Sequence, residues 1–373
     1  MAALAATRVF TGTDLLENAT VFIEGGRITE VRPGLSSGAD AHDGLLAPGF
    51  IDVQVNGGGG AQFNDNPAVE TLRTITDAHI QFGVTGIMAT LISDQRGKVA
   101  AAIDAVDEGI REGLPGLLGL HLEGPWLSAP RRGVHPQEFL RTMDAGDLDL
   151  LAKERDFPVL VTLAPEQASP DDVKRLTGAG IQVSIGHTAA PAEILEPLLD
   201  AGATGFTHLF NAMPPLEGRN PGPIGVALAH SETWAGIILD GIHVHPISAR
   251  AAFAAKSARK LMLVSDAMAT VGATDPTMRL FGERVTVSNG ALRTSTGTLA
   301  GAHLELSTAA CNATTLIQAS QEQALRMASL TPAEFLNIDH ERGRIAAGGR
   351  ADMVLLGPDL DVRGVWSAGN RIR

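Results

Sequence analysis

Hydrophobic residues in the middle of the chain come in short, nearly uninterrupted runs. The segments between them, such as Val69 to Phe82 and Glu193 to Ala201, carry apolar residues at helical spacing. Runs that are apolar throughout, rather than alternating, are typical of parallel strands buried on both faces. Eight such runs are present: Phe50 to Val55, Val84 to Leu91, Leu117 to Leu122, Val159 to Leu163, Ile181 to Ile185, Gly205 to Leu209, Ala235 to Leu239 and Leu261 to Val264. Eight parallel strands joined by helices predict a closed (β/α)8 barrel, the TIM barrel of the α/β class.

The two ends of the chain have a different pattern, in which short β-prone pieces are separated by Gly, Pro and Asp. These pieces are Ala19 to Ile23, Ile28 to Val31, Gly343 to Ile345, Ala351 to Leu356, Val362 to Trp366 and Asn370 to Ile372. Because isolated hairpins are only marginally stable, we expect both ends to pair into a small β-sandwich. The predicted domains are residues 1–48 with 340–373 for the sandwich, and residues 49–339 for the barrel.

Composition excludes several classes of protein. Hydrophobic residues make up 44% of the chain and charged residues 19%, which is typical of a globular protein. A formal net charge of -13 opposes binding to nucleic acid or anionic membranes. The only cysteine is Cys311, and neither a signal peptide nor a membrane-spanning run of about 20 apolar residues is recognisable. We therefore expect a cytoplasmic protein that holds any anionic substrate with a local cluster of cations.

Polar side chains follow the ends of most of the predicted barrel strands. Catalytic groups of such barrels come from the C-terminal ends of the strands, which meet at one face. The polar residues found there are Gln54 and Asn56 after strand one, Glu123 after strand three, His187 after strand five, His208 after strand six, Asp240 and His243 after strand seven, and Asp266 after strand eight. This regular placement predicts an active site at that face.

A carboxylate and two imidazoles within this group suit a catalytic metal ion. Glu123, His187 and His208 form a ligand set for zinc that leaves a coordination position for water. Such an ion lowers the pKa of bound water from about 15.7 to about 7. Asp266 could then accept the proton of the water and deliver it to a leaving amine. A single histidine at such a position is an ordinary core or surface residue about as often as it is a metal ligand. Suitable residues at the ends of four different strands, however, favour the metal site.

Six segments of the chain form multi-residue motifs: Pro48 to Asp52, His121 to Pro125, Gly186 to Thr188, Thr207 to Met213, Asp240 to His243 and Ser265 to Met268. Together they resemble the motifs of N-acetylglucosamine-6-phosphate deacetylases, a family of the amidohydrolase superfamily. They occur in the family order and cover nearly the whole chain. The chain ends also resemble the split β-sandwich of the superfamily. The resemblance implies removal of the acetyl group from an amino-sugar phosphate.

The resemblance also implies a role for each matching residue. It makes Glu123, His187 and His208 the ligands of a divalent metal ion, and Asp266 the general base and acid. The implied substrate-binding residues are His135 at the acetyl carbonyl, Arg219 and His243 at the phosphate, Leu299, Ala300 and Gly301 in a closing loop, and Val134, Asn211 and Ala212 as further substrate contacts. In related enzymes a neighbouring subunit supplies some phosphate contacts, which implies a homodimer.

Two of these residues would be read differently without the resemblance. The planar guanidinium of Arg219 suits phosphate oxygens, but a solvated arginine is the commoner occupant of such a turn-rich loop. His135 follows Arg131, Arg132 and Gly133, where a surface histidine is the simpler interpretation.

The end of strand one departs from the commoner superfamily pattern. Many amidohydrolases carry a His-x-His pair there that helps to hold a second metal ion, whereas this chain has Gln54-Val55-Asn56. Neutral amides are poor metal ligands compared with imidazole. We therefore expect one divalent ion per chain, with zinc as the first choice and other divalent ions open.

Three alternative functions remain at this point: a deacetylase for N-acetylgalactosamine 6-phosphate, a hydrolase for N-acyl amino acids, and a catalytically inactive barrel. Arg219 and His243 favour a phosphorylated substrate but do not fix the stereochemistry of the sugar. An inactive barrel should lack a ligand or the aspartate, and this chain has all four residues.

Overall fold

The computed structural model describes residues 2–373 and contains twenty strands and ten α-helices in that range. The strands are β1 (Ala2–Phe10), β2 (Leu15–Glu24), β3 (Arg27–Pro33), β4 (Asp40–Pro48), β5 (Phe50–Val55), β6 (Gly57–Gly58), β7 (Ala61–Gln62), β8 (Val84–Ile92), β9 (Gly116–Glu123), β10 (Val159–Leu163), β11 (Gln182–Ile185), β12 (Gly205–Phe206), β13 (Trp234–Ile237), β14 (Leu261–Leu263), β15 (Thr277–Leu280), β16 (Glu283–Ser288), β17 (Ala291–Thr294), β18 (Met353–Leu356), β19 (Val362–Ser367) and β20 (Asn370–Arg371).

The helices are mostly short and alternate with the strands of the barrel. They are α1 (Val69–Ile80), α2 (Arg96–Arg111), α3 (Ala145–Leu151), α4 (Pro170–Gly178), α5 (Ala192–Asp200), α6 (Gly222–Ala229), α7 (Pro246–Lys260), α8 (Leu306–Leu316), α9 (Gln321–Ala328) and α10 (Leu330–Phe335). Within residues 2–373, none of them combines the length and the hydrophobicity needed to cross a membrane.

An eight-stranded parallel sheet in the order β5-β8-β9-β10-β11-β12-β13-β14 forms the barrel. A bridge between Val55 and Ala267 joins the first strand to the segment that follows the last. All eight predicted runs overlap a barrel strand, although the sixth strand is limited to Gly205–Phe206. The predicted (β/α)8 fold is therefore confirmed. Helix α1 shows how the outer layer packs, because Leu72, Ile75 and Ile80 recur on the face that is buried against the strands.

Both ends of the chain join one seven-stranded sheet in the order β20-β19-β18-β4-β1-β2-β3. Strand β4 is the link, since it pairs in parallel with β1 and antiparallel with β18. The sheet has a hydrophobic cluster of its own, which includes Val21, Ile28 and Trp366. The predicted pairing of the two chain ends into a small β-structure beside the barrel is thus confirmed, while the exact division at residues 48 and 340 stays a prediction.

The sequence-based assignment missed β1, β4 and the short strands β6 and β7, and it was also wrong at two places further along the chain. Gly343 to Ile345 is not a strand: Gly343 has φ +78°, and Ile345 makes a single backbone hydrogen bond to Thr11. Strands β15, β16 and β17 were not predicted. They form a separate antiparallel sheet after the last barrel strand, and their buried residues pack on Met268 beside the C-terminal face.

The loop after β9 is held by one buried carboxylate. Asp147 accepts hydrogen bonds from Trp126 Nε1 at 3.0 Å, Arg96 Nε at 2.9 Å and Arg141 Nη2 at 2.8 Å. Burial raises the pKa of Asp147, but these hydrogen bonds outweigh it and lower the pKa to about 2. The loop between β9 and α3 is therefore fixed close to Glu123, the last residue of β9.

Replacing Asp147 with Ala is expected to lower the free energy of unfolding by roughly 2–4 kcal/mol, because it leaves the buried indole N–H without an acceptor and breaks two ion pairs. Urea denaturation followed by circular dichroism measures the change. The control is Asp149→Ala, which removes the partner of Arg175: the Asp149 side chain is 71% exposed, against 1% for Asp147. Exposed pairs contribute about 1 kcal/mol or less. Equal losses in both variants would contradict this role of Asp147.

Candidate active site

A cavity opens at the C-terminal ends of the barrel strands, where the polar strand ends were expected to meet. Its lining comprises Asn56, Ile92, Glu123, Gly133, Val134, His135, His187, His208, Asn211, Ala212, Ile238, His243, Asp266, Met268, Leu299 and Gly301. Eleven of the thirteen candidate site residues are in this set. The barrel thus gathers residues from Asn56 to Gly301, which lie 245 positions apart in the chain.

Glu123 is at the centre of the polar cluster. Its Oε1 atom lies 3.1 Å from His187 Nε2, 3.0 Å from His208 Nε2 and 3.1 Å from Gln54 Nε2. The two imidazole Nε2 atoms are themselves 3.0 Å apart. Burial raises the pKa of Glu123, but the contacts with both imidazoles outweigh it and hold the pKa well below its usual value. The carboxylate is therefore ionised.

The three donor atoms fit a small divalent cation. Ligand atoms about 2.0 Å from a tetrahedral zinc ion are roughly 3.3 Å apart, which is close to the separations found here. The Nδ1–H of His187 donates to the carbonyl oxygen of Arg131 at 2.8 Å, so its Nε2 keeps the lone pair that a metal needs. Glu123, His187 and His208 thus have the charge and spacing of a metal site, and His187 also has the tautomer that a metal ligand needs.

His135 lies next to this cluster and offers a second ligand set. Ring and carboxylate atoms of Glu123, His135 and His187 all fall within 4.8 Å of one another. However, the backbone N–H of Ser93 donates to His135 Nδ1 at 3.2 Å. Burial lowers the pKa of His135 to about 3, so the ring is neutral and its proton is on Nε2. An N–H group cannot bind a metal but can donate to a substrate oxygen, and the set with His208 therefore fits better.

Asp266 faces the cluster from the end of β14. Its Oδ1 accepts a hydrogen bond of 2.7 Å from Asn56 Nδ2. Burial, followed by repulsion from Glu123, raises the pKa of Asp266 to about 6. A carboxylate with a raised pKa beside a metal site is suited to proton transfer near neutral pH.

Three of these side chains are held on strained backbone. His187, His208 and Asp266 have φ values of 50°, 29° and 49°, in the left-handed region that residues with a Cβ rarely adopt. Each such conformation costs on the order of 1–3 kcal/mol and persists only where the surrounding structure enforces it. The strain falls at the ends of strands five, six and eight, among residues that line the cavity, and strained backbone of this kind is typical of functional sites.

The amides at the end of strand one have roles that the sequence did not reveal. Gln54 donates to Glu123, and Asn56 donates to Asp266. The positions of the missing His-x-His pair are thus occupied by two donors that hold the carboxylates in place. Ser93 was also missed, although it orients His135. No local pattern marks these contacts, because they join residues on different strands.

Two of the candidate residues do not line the cavity. Arg219 is exposed, in a tight turn closed by a bridge between Glu217 and Asn220. Ala300 is fully buried and packs with Met268 and the sheet of β15, β16 and β17, while its neighbours Leu299 and Gly301 reach the cavity.

His243 lines the cavity and is oriented by Asp240. Its Nδ1 lies 2.6 Å from Asp240 Oδ2, and both side chains are less than a tenth exposed. Burial raises the pKa of Asp240, but the hydrogen bond with His243 outweighs it and lowers the pKa. Because the ionised carboxylate of Asp240 is hydrogen-bonded to Nδ1 of His243, Nε2 is the ring atom that remains free to contact a ligand. The role of Asp240 was also not anticipated from the sequence.

Comparison with known proteins agrees with this geometry. Residues 45–372 match the amidohydrolase family. An N-acetylgalactosamine-6-phosphate deacetylase from Shewanella sp. (strain ANA-3) is 42% identical, over 97% of this chain and 93% of its own length. An N-acetylglucosamine-6-phosphate deacetylase from Bacillus subtilis (strain 168) is 34% identical, over 95% of this chain and 92% of its own.

A solved structure gives the same result for the fold. A mutant N-acetyl-D-glucosamine-6-phosphate deacetylase from Mycobacterium smegmatis, in complex with N-acetyl-D-glucosamine-6-phosphate, is 32% identical, with a TM-score of 0.91 over 99% of this chain and 98% of that one. The resemblance seen in the sequence motifs is thereby confirmed. The chain belongs to the amidohydrolase family, and its relatives within that family are deacetylases of N-acetylated amino-sugar 6-phosphates.

Proposed function

We propose that this protein hydrolyses N-acetyl-D-glucosamine 6-phosphate to D-glucosamine 6-phosphate and acetate. The observation that carries the proposal is the placement of Asp266 beside the Glu123, His187 and His208 cluster in one cavity. This arrangement combines a metal site with a proton-transfer carboxylate, the two parts that hydrolysis of an unactivated amide requires. The deacetylase relatives support the choice of an N-acetylated amino-sugar phosphate as substrate.

Glu123, His187 and His208 would hold one divalent ion, for which zinc is our first choice. When bound, such an ion makes a water molecule acidic and polarises a carbonyl oxygen. Asp266 accepts the proton of the attacking water and returns it to the departing amine nitrogen. His135 donates its Nε2 proton to the acetyl carbonyl oxygen and so stabilises the negative charge that develops there. Asn56 keeps the Asp266 carboxylate in position for both transfers.

His243 and Arg219 would bind the phosphate. His243 meets it inside the cavity, oriented by Asp240. Arg219 is exposed outside the cavity of its own chain, and we assign it to the cavity of a partner subunit in a homodimer. Val134, Asn211, Ala212 and the segment Leu299 to Gly301 would enclose the sugar. The single cysteine and the negative net charge support a cytoplasmic enzyme of small-molecule metabolism.

A second candidate substrate is the galacto epimer, N-acetylgalactosamine 6-phosphate. The observation in its favour is the 42% identity with the Shewanella enzyme of that activity. The two sugars differ only at C4, so both can present the same acetamide and phosphate to this site.

Acetate release by the zinc-loaded protein tests the proposal with three substrates: N-acetylglucosamine 6-phosphate, N-acetylgalactosamine 6-phosphate and unphosphorylated N-acetylglucosamine. We expect the highest kcat/KM for the gluco phosphate. A higher value for the galacto phosphate would transfer the assignment to the second candidate. A higher value for the unphosphorylated sugar, or no hydrolysis of any of the three, would refute the proposal.

Arg219→Ala is expected to raise KM for the phosphorylated substrate by about tenfold and to leave kcat within about twofold, because a group remote from the scissile bond contributes mainly to binding. Steady-state kinetics measures both constants. Arg111→Ala, on the outer surface of α2, is the charge-matched control and should change neither. An unchanged KM in Arg219→Ala would place the phosphate elsewhere.

A further inference from the structure

Five polar side chains form a buried hydrogen-bonded chain inside the barrel, below the metal cluster. They are Thr90, His121, Thr162, Ser184 and Thr207, and each is at most 5% exposed. We call them the polar girdle. The interior of such a barrel is normally filled by branched apolar side chains, so five connected polar residues require a reason.

The girdle is continuous from strand to strand. His121 Nδ1 lies 3.3 Å from Thr90 Oγ1, and His121 Nε2 lies 2.8 Å from Thr162 Oγ1. Thr162 Oγ1 is 2.6 Å from Thr207 Oγ1, which in turn donates to Ser184 Oγ at 2.9 Å. At its other end, Thr90 Oγ1 accepts the backbone N–H of Val55 on the first strand, and its single proton is shared between His121 Nδ1 and the carbonyl oxygen of Met88 at 3.1 Å.

The direction of the central hydrogen bonds follows from the number of protons. A hydroxyl has one proton, and Thr207 uses its own for Ser184. Thr162 must therefore donate to Thr207, and His121 must donate its Nε2 proton to Thr162. Thr162 is thus the member that joins the imidazole half of the girdle to the hydroxyl half.

The girdle connects the three strands that carry the metal-binding residues. His121 precedes Glu123 by two residues on β9, and Ser184 precedes His187 by three at the end of β11. Thr207 is the residue before His208. The strand register pairs Thr162 with Glu123 on one side and with Ser184 on the other, so Thr162 lies between the strands that lead to Glu123 and to His187.

We infer that the polar girdle is a positioning device, which fixes the relative heights of β9, β11 and β12 so that Glu123, His187 and His208 converge on one metal ion. Directional hydrogen bonds between neighbouring strands resist sliding, whereas apolar contacts would tolerate it. Groups that support metal ligands typically alter metal affinity by 10- to 100-fold when they are removed. The inference rests on the proposed metal site and assigns its support to residues that touch neither metal nor substrate.

The test is the affinity of dialysed, metal-free protein for Zn²⁺, measured by competition with a chromophoric chelator. Thr162→Val keeps the shape of the side chain but removes the central hydroxyl, and we expect 10- to 100-fold weaker binding of Zn²⁺. Thr162→Ser restores the hydroxyl and should return the affinity to within about threefold of the unmodified protein. This pair separates the hydrogen bonds from the volume of the side chain.

Thr331→Val is the matched control, because it removes another fully buried threonine hydroxyl, which donates to Ala258 from α10 outside the barrel. It should bind Zn²⁺ like the unmodified protein. If Thr162→Val does not fold, Ser184→Ala, which removes only the terminal acceptor, should still weaken Zn²⁺ binding. Unchanged affinity in Thr162→Val, or an equal loss in Thr331→Val, would overturn the inference. Failure of the unmodified protein to bind Zn²⁺ would instead refute the proposed metal site.

Discussion

Asp266→Asn is expected to lower kcat by about 10² to 10⁴, because general acid–base catalysis contributes a factor of that size. The amide is nearly the same size as the carboxylate and can still accept the hydrogen bond that Asn56 donates at 2.7 Å. It cannot take up the proton of the attacking water or return it to the amine. The fold, the metal content and the affinity for substrate should therefore be retained, while the chemical step is lost.

The measurement is kcat for the zinc-loaded variant, with the metal content of the same sample determined by elemental analysis. Asp275→Asn is the control, because Asp275 is an exposed residue beside β15 whose hydrogen bonds are to Thr277 alone. Activity of Asp266→Asn close to that of the unmodified protein would remove Asp266 from the mechanism. Loss of the metal along with activity would make Asp266 a ligand rather than a base.

Glu123→Gln should have the second largest effect, on metal binding as well as on turnover. Glu123 Oε1 is the atom that both imidazole Nε2 atoms approach within 3.1 Å. A neutral amide at this position lacks the charge that a divalent ion needs, and the loss should exceed the 10- to 100-fold change seen when only a supporting group is removed. We expect the unmodified protein to retain one divalent ion per chain after dialysis and Glu123→Gln to retain almost none, with little residual activity.

Elemental analysis and acetate release on the same samples decide this prediction. Glu112→Gln, which neutralises an exposed carboxylate at the end of α2, should keep both the metal and the activity. Retention of the metal by Glu123→Gln would show that the ion is held elsewhere. Two tightly held ions per unmodified chain, both required for activity, would show that the amides Gln54 and Asn56 do not prevent a second site.

The barrel could be predicted from the sequence because its signal is local. A strand buried on both faces must be apolar along its whole length, so each run was visible without knowledge of its neighbours. The polar residue that ends such a run is equally visible, as with Glu123 and His208. The connection rules of α/β folds then bring these ends to one face.

Burial of individual loop residues could not be read in this way. His135 follows two arginines and a glycine and looks like a surface residue, yet it is 3% exposed and held by Ser93. Arg219, expected at the phosphate, is exposed on its own chain. Whether a loop folds over the cavity or away from it depends on what packs against it, and the pattern of the loop itself does not encode that.

The sequence by itself thus determined the eight strands, the candidate metal-binding residues that end them and the family of the chain. Only the tertiary structure decided how these residues are held. Gln54 donates a hydrogen bond to Glu123, 69 positions away in the chain, and Asn56 donates one to Asp266, 210 positions away. The polar girdle likewise joins residues from Thr90 to Thr207. The physical reason is that hydrogen bonds between distant residues depend on strand register and barrel closure, which are set by the packing of the whole chain rather than by any local pattern.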